Sequence, residues 1–213
     1  MKTTSNQLFD RWILTYQKHE YGFHRDGIID ESQFDKERHR ILFVMAEPNS
    51  RYGNYDHFIG MDLRELFGKE LHSKMLTRNL ALWTRALLDG VRKHTYLTAD
   101  EVRSELRRIA VMNLKKFSGT SEADYAAIGL HAWHDRAFIR EQVDIISPSL
   151  ILTCGEKIHK LFGAVMHDDR FWSTETNWKW KGVSVKNIQH PATRGKHTLP
   201  AFHLICEIAR ELK

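Results

Sequence analysis

Four short apolar runs punctuate the chain. The first, Ile41 to Met45 in Arg40-Ile-Leu-Phe-Val-Met-Ala-Glu-Pro-Asn49, is led by a β-branched residue and stopped by Pro48, which cannot donate to a ladder. It reads as a strand buried on both faces, as in a parallel sheet. Arg108-Ile-Ala-Val-Met-Asn113 is a second run, Ser149-Leu-Ile-Leu-Thr-Cys-Gly155 a third, and Val183-Ser-Val-Lys-Asn-Ile-Gln-His-Pro191 a fourth. Between them the apolar spacing is helical. It predicts helices over 6–19, 62–67, 73–91, 98–108, 156–162 and 197–212, and a long helical stretch over 121–146 broken near Gly129. Thr98-Ala-Asp-Glu101 has the form of a capping box. Inward-facing residues are expected at Leu76, Leu80, Trp83, Leu87 and Leu88, and near the end at Phe202, Leu204, Ile205, Ile208 and Leu212. The segment 20–39 is polar, holds two glycines and reads as a connector. Strands alternating with helices imply an α/β fold: a three-layer α/β/α sandwich with a central, mostly parallel four-stranded sheet. The whole chain, 1–213, is read as one domain, with 1–40 as its N-terminal helix and connector.

The polar residues that close these runs change the picture. Open α/β sheets place ligands at the carboxyl ends of their strands. There the chain offers a carboxylate (Glu47), an amide (Asn113) and an imidazole (His190), a set suited to acid/base work on a small polar ring.

The strand ending Ala-Glu-Pro-Asn resembles the first motif of the uracil-DNA glycosylase superfamily, Gly-Gln-Asp-Pro-Tyr and its variants. His190-Pro191-Ala192 is similar to the superfamily's His-Pro-Ser, Val111-Met-Asn-Leu114 to its base-reading strand, Pro148 to Gly155 to its Pro-x-strand-Gly segment, and Phe58-Ile-Gly60 to its Phe-Val-Gly. The likeness runs from about Ile41 to the end of the chain. It implies a monofunctional DNA glycosylase that flips a pyrimidine from DNA and hydrolyses its N-glycosidic bond to leave an abasic site. Glu47 matches the Asp of the first motif, counting back from the shared proline, and would hold water against C1′ and offset the oxocarbenium charge. His190 would donate to the departing base, and Asn113 would read its edge; turning that amide end for end would suit uracil or cytosine. Phe58 is the candidate to stack on the base, with Tyr52 or Tyr55 as substitutes. Asn49 stands where the family's tyrosine presses on C5, so the substrate is either uracil or a C5-modified cytosine, such as glucosylated hydroxymethylcytosine in phage DNA. The second would make the protein an antiviral defence enzyme.

Composition fits this expectation. Lys plus Arg is 32 against 27 for Asp plus Glu, a formal charge of +5 and a pI near 9.2, which favours a polyanionic partner. DNA contacts are expected from Lys115 and Lys116 after the second strand tip, and from Arg194 or Lys196 in the loop after His190-Pro191. The family's serine in that loop is Ala192 here, so its hydroxyl contact to phosphate is missing. Cys154 and Cys206 lie inside apolar segments and read as reduced, buried thiols. Two cysteines cannot build the four-cysteine iron–sulfur cluster of one family branch. No cofactor is expected. His131 and His134 could share a helix face and bind a metal, but no third ligand of suitable spacing is evident, so no metal is expected. The tryptophans between Phe171 and Gly182 suggest either a hairpin packed beneath the sheet or an aromatic patch facing nucleic acid. With no apolar run of spanning length and no signal-peptide pattern, the expected setting is a cytoplasmic monomer without membrane contact. Two other functions stay open: a catalytically silent nucleic-acid-binding module of the same fold, and a hydrolase of free nucleosides.

Overall fold

The structure, a computed structural model, describes residues 4–16, 22–48, 61–69, 75–119, 123–168 and 177–212. Its centre is β2 (Ile41–Met45), in which every residue is buried. Alternation along this strand sends Ile41, Phe43 and Met45 into one apolar cluster and Leu42 and Val44 into another. The sheet is therefore covered on both faces, which explains why β2 reads as a continuous apolar run.

β2 pairs in parallel with β3 (Ala110–Asn113) on one side and with β4 (Leu150–Cys154) on the other. β4 pairs in parallel with β6 (Val183–Ile188). These four strands are the four apolar runs of the sequence. The expectation of a four-stranded sheet needs correction, because two short antiparallel strands extend it to six in the order β1-β3-β2-β4-β6-β5. β1 (Gly27–Ile28) lies against β3, inside the segment expected to be a connector. Two residues are too few to show a period, and Gly27 adopts φ +122°, so nothing in the local pattern marks a strand. β5 (Asn177–Trp180) turns back onto β6 through Lys181 and Gly182, both at positive φ, as a tight hairpin turn requires. Trp178 is buried against Phe162 and His167, so this ring belongs to the core rather than to an exposed aromatic patch.

One face of the sheet carries α3 (Leu63–Lys69), α4 (Met75–Asp89), α5 (Ala99–Leu106) and α9 (Thr198–Glu211). The other carries α1 (Ser5–Leu14), α6 (Tyr125–His134), α7 (Arg136–Ile146) and α8 (Glu156–His167). A one-turn helix, α2 (Glu31–Phe34), leads from β1 to β2. α1 begins at a capping box formed by Thr4 and Gln7, and α5 at the Thr98–Glu101 box. α1 ends at Leu14 rather than His19, and 17–21 fall outside the described residues. The break in 121–146 falls at Asp135, not Gly129. Gly129 lies within α6, and a Cβ there would stand 3.1 Å from Leu161 of α8, so the glycine lets the two helices pack closely. In α9, Phe202, Ile205 and Ile208 are buried as expected, whereas Leu204 is exposed. Cys154 and Cys206 are both buried free thiols, and burial pushes the Cys154 thiol upward. Among the described residues no helix is long and apolar enough to cross a membrane.

Phe43 is fully buried at the middle of the central strand, so Phe43→Ala should cost about 3–5 kcal/mol. Urea unfolding of the two proteins measures this; a loss below about 1 kcal/mol would contradict the ring's place in the core.

Candidate active site

The sheet's register brings the strand tips together. Asn113 pairs with Met45, Thr153 with Val44, and Cys154 with Ile188. Asn113, Met45, Cys154 and Ile188 thus form one row across four parallel strands. Glu47 and His190 each lie two residues beyond that row, on the extensions of β2 and β6. With β4 between them and strands about 4.8 Å apart, their chain positions are about 10 Å apart across the sheet. The chain runs from β2 to β3 on one side and on to β4 on the other, so this edge is also the topological switch point.

Glu47 is held firmly. The ladder between β2 and β3 continues past the strands through Leu114 N to Met45 O and Lys115 N to Ala46 O, and Gly119 N donates to Pro48 O at 2.8 Å. Lys115 Nζ then reaches Glu47 Oε2 at 2.6 Å, with side-chain exposures of 12% and 6%. A Cβ on Gly119 would fall 2.0 Å from the Glu47 carboxyl carbon, so only glycine permits this approach. His24 anchors the same loop from the β1 side: its backbone N–H donates to Lys116 O, and its ring bonds the Ser118 hydroxyl at 2.7 Å. Met61 N–H points at Nδ1 of that ring, so Nε2 is the nitrogen that donates to Ser118, and burial lowers the pKa of His24. Lys115, expected to meet DNA phosphate, is paired here with Glu47.

Asn113 is buried, and it rests on a residue that the sequence did not single out. Asp26 Oδ2 accepts from Asn113 N at 2.7 Å and from Asn113 Nδ2 at 3.2 Å. Asp26 Oδ1 accepts from Lys116 Nζ at 2.6 Å and Gln142 Nε2 at 2.8 Å, and Gln142 Oε1 accepts from Lys116 at 2.9 Å. Side-chain exposure is 0% for Lys116 and 1% for Asp26. The expectation that Lys116 grips DNA phosphate is therefore corrected. Its ammonium lies beneath the site, over the Trp12 ring at 5.1 Å, and cannot reach solvent.

His190 opens the loop after β6. Ala192 N–H donates to His190 Nδ1 at 3.1 Å, so in the neutral ring the proton sits on Nε2. The surrounding protein lowers the pKa by desolvation, even though the residue keeps an exposed edge. Protonation would also set two donors against each other at Nδ1. The loop is clamped from α4 by buried Asn79, whose Nδ2 donates to Pro191 O at 2.7 Å and Thr193 O at 3.3 Å. His190 lines a cleft of about 500 Å³ with Gly155, Asn187, Arg194, His197 and the exposed Leu204. Arg194 and Lys196 are both exposed on this loop, where a polyanion could meet them.

Phe58 and Asn49, with Tyr52 and Tyr55, lie outside the described residues. His131 and His134 both lie against the Tyr16–Asp135 pair, in which the Tyr16 hydroxyl donates to Asp135. His131 Nδ1 is 3.4 Å from the Tyr16 hydroxyl, and His134 Nδ1 is 2.8 Å from Asp135. Desolvation, then the nearby Lys115 charge, lowers the pKa of His131. No group of three His, Cys, Asp or Glu residues among the described residues could hold a metal. Asp26, His24 and Asn79 were not legible because each acts on partners 37 to 116 positions away, as the 112-residue separation of Asn79 and Pro191 illustrates. No family model matches the chain, and neither does any curated protein.

The Asn79 clamp yields a direct expectation. Asn79→Ala leaves two carbonyls without their donor and should cost about 1–3 kcal/mol. It should also raise the His190 pKa toward its ordinary 6.5, because a loosened loop is better hydrated. Imidazole proton shifts followed through a pH titration test the second effect; an unchanged titration would show that Asn79 does not position the ring.

Proposed function

We propose that this chain is a monofunctional DNA glycosylase that hydrolyses the bond between a flipped-out pyrimidine and deoxyribose. The observation that carries the reading is the registered pair of strand tips: a carboxylate on β2 and a neutral, Nε2-protonated imidazole on β6, two residues past one row that also contains Asn113. Breaking this bond leaves positive charge on the sugar and negative charge on the base. Glu47 offsets the first and orients the attacking water, and Lys115 holds the carboxylate in one rotamer for that task. His190 Nε2–H donates to the oxygen on which the base's charge develops, and Asn113 reads the edge. Arg194 and Lys196 contact the DNA backbone. The resemblance to the uracil-DNA glycosylase superfamily supports the same assignment, as does the basic charge. The substrate is uracil or a cytosine with a bulky polar C5 group; the second follows from Asn49 standing where a tyrosine would exclude such a group. The protein acts as a cytoplasmic monomer that needs no metal or cofactor.

A second reading has one observation in its favour. The Glu47 side chain is only 6% exposed, closed in by Lys115 and by the Gly119 backbone, as a purely structural ion pair would be. A silent module that binds nucleic acid on the same fold accounts for that.

Base release from duplexes carrying uracil, hydroxymethylcytosine or glucosylated hydroxymethylcytosine, scored as strand scission after alkali, separates the two. Glu47→Gln should slow release by about 100-fold or more, and His190→Ala by about 10²–10³-fold, with DNA binding retained. No release by the intact protein from any of these duplexes would leave the binding module. The pH profile has a fixed sign: because the His190 pKa is lowered, kcat/KM should be flat at neutral pH and fall only on the acid side, below 6.5. A profile that rises as pH drops through that region would assign the imidazolium, not the imidazole, as the working form.

A further inference from the structure

The cluster of Asp26, Lys116 and Gln142 at Asn113 lies outside the catalytic assignment and contains a lysine–carboxylate pair with side-chain exposures of 0% and 1%. Asp26 takes four donors: Asn113 N and Nδ2 on Oδ2, and Lys116 Nζ and Gln142 Nε2 on Oδ1. With a donor at each of these positions, the carboxylate offers Asn113 an acceptor and nothing else. The amide of Asn113 must then turn Nδ2 toward Asp26. Rotated end for end, it would set Oδ1 against a carboxylate oxygen in a dry interior, where such a contact is costly.

We propose that Asp26 is a positioning residue that locks the orientation of the Asn113 amide, so that the site reads one of the two pyrimidine edges and rejects the other. This rests on the reading of Asn113 as the group that faces the base. Uracil offers an acceptor at position 4 and a donor at N3, whereas cytosine offers a donor and an acceptor in those places. An amide free to turn can match either base, and a locked one matches only one. Lys116 and Gln142 act at one remove: they fill the far oxygen and leave Oδ2 aimed at Asn113. The charge pair is thereby given a use beyond stability, which fully buried ion pairs often fail to improve.

The lock removes from Asn113 the freedom to serve both candidate substrates, so choice among them divides into two independent parts. The edge is decided beneath the sheet by Asp26. Acceptance of a C5 group is decided elsewhere, around Asn49.

The test uses the full-length protein and duplexes in matched pairs that share their C5 group: uracil with cytosine, hydroxymethyluracil with hydroxymethylcytosine, and the glucosylated forms of the latter two. Within the pair it processes, the wild-type protein should favour one edge by about 10⁴-fold. Asp26→Leu, close to the carboxylate in size, removes the acceptor that fixes Asn113 Nδ2 and should reduce that ratio by at least about 10-fold while preference for the C5 group stays the same. Asp26→Asn would not serve, because the Asn113 backbone N–H keeps an acceptor oxygen turned toward Asn113. Because Asp26→Leu leaves Lys116 without its carboxylate and could unfold the chain, the double variant Asp26→Leu with Lys116→Met removes both charges and should show the same loss of discrimination. A folded double variant whose edge preference equals that of wild type would overturn the proposal. A second readout needs no catalysis. In the ¹⁵N-labelled wild-type protein, the two Asn113 side-chain amide protons should be resolved and protected from exchange with water, and that protection should be lost in the double variant. If the wild-type amide exchanges like a solvated one, the lock does not exist. If it is protected but no duplex loses a base, the glycosylase reading fails and the lock stands.

Discussion

The double-faced burial of β2 is the constraint on which the rest of the molecule depends. With apolar clusters above and below, no polar side chain can occupy the body of the strand without losing its hydration. Polar chemistry is displaced to the strand tips, and the parallel register of β3, β2, β4 and β6 makes those tips neighbours. The site therefore follows from how the core is closed. Glu47, Asn113 and His190 lie at the same end of the sheet although they are far apart in the chain, because their strands share one row.

A second layer of interactions supports those tips, drawn from the segment before β1, the loop after β3, α7 and α4. The segment before β1 supplies His24, which fastens the loop after β3. Asp26 enters at the edge of β1, just ahead of Gly27, and meets Lys116 and Gln142 from α7. α4 supplies Asn79, which holds the loop after β6. These contacts are short, and Asp26, Lys116, Gln142 and Asn79 are buried, so water competes poorly for them. The two antiparallel edge strands matter for the same reason: β1 delivers Asp26, and the β5–β6 hairpin seats Trp178 and steadies the strand that leads to His190.

Charge is used unevenly. The excess of basic residues suggested an electrostatic surface, yet the two lysines nearest the site face inward. Lys115 sets the position of Glu47, and Lys116 neutralises a buried carboxylate. Of the four basic side chains expected to meet a polyanion, only Arg194 and Lys196 stand on the surface. The difference arises because a lysine's reach lets it fold back onto a carboxylate that its own sequence neighbourhood does not contain.

Periodicity and composition determined the α/β class, the four parallel strands, most helices and the Thr98–Glu101 capping box, because those are set by local hydrogen bonding and by which side of an element is apolar. The residue types at the strand tips were legible for the same reason, since a strand's end is marked by its own Pro, Asn or His. Tertiary structure alone decided which tips share a row, that β1 and β5 extend the sheet, that Leu204 lines a cleft rather than the core, and that Asp26 lies under Asn113. A two-residue strand carries no period. A buried pair such as Asp26 and Lys116, 90 positions apart, is chosen by the mutual desolvation of two groups, which neither neighbourhood records.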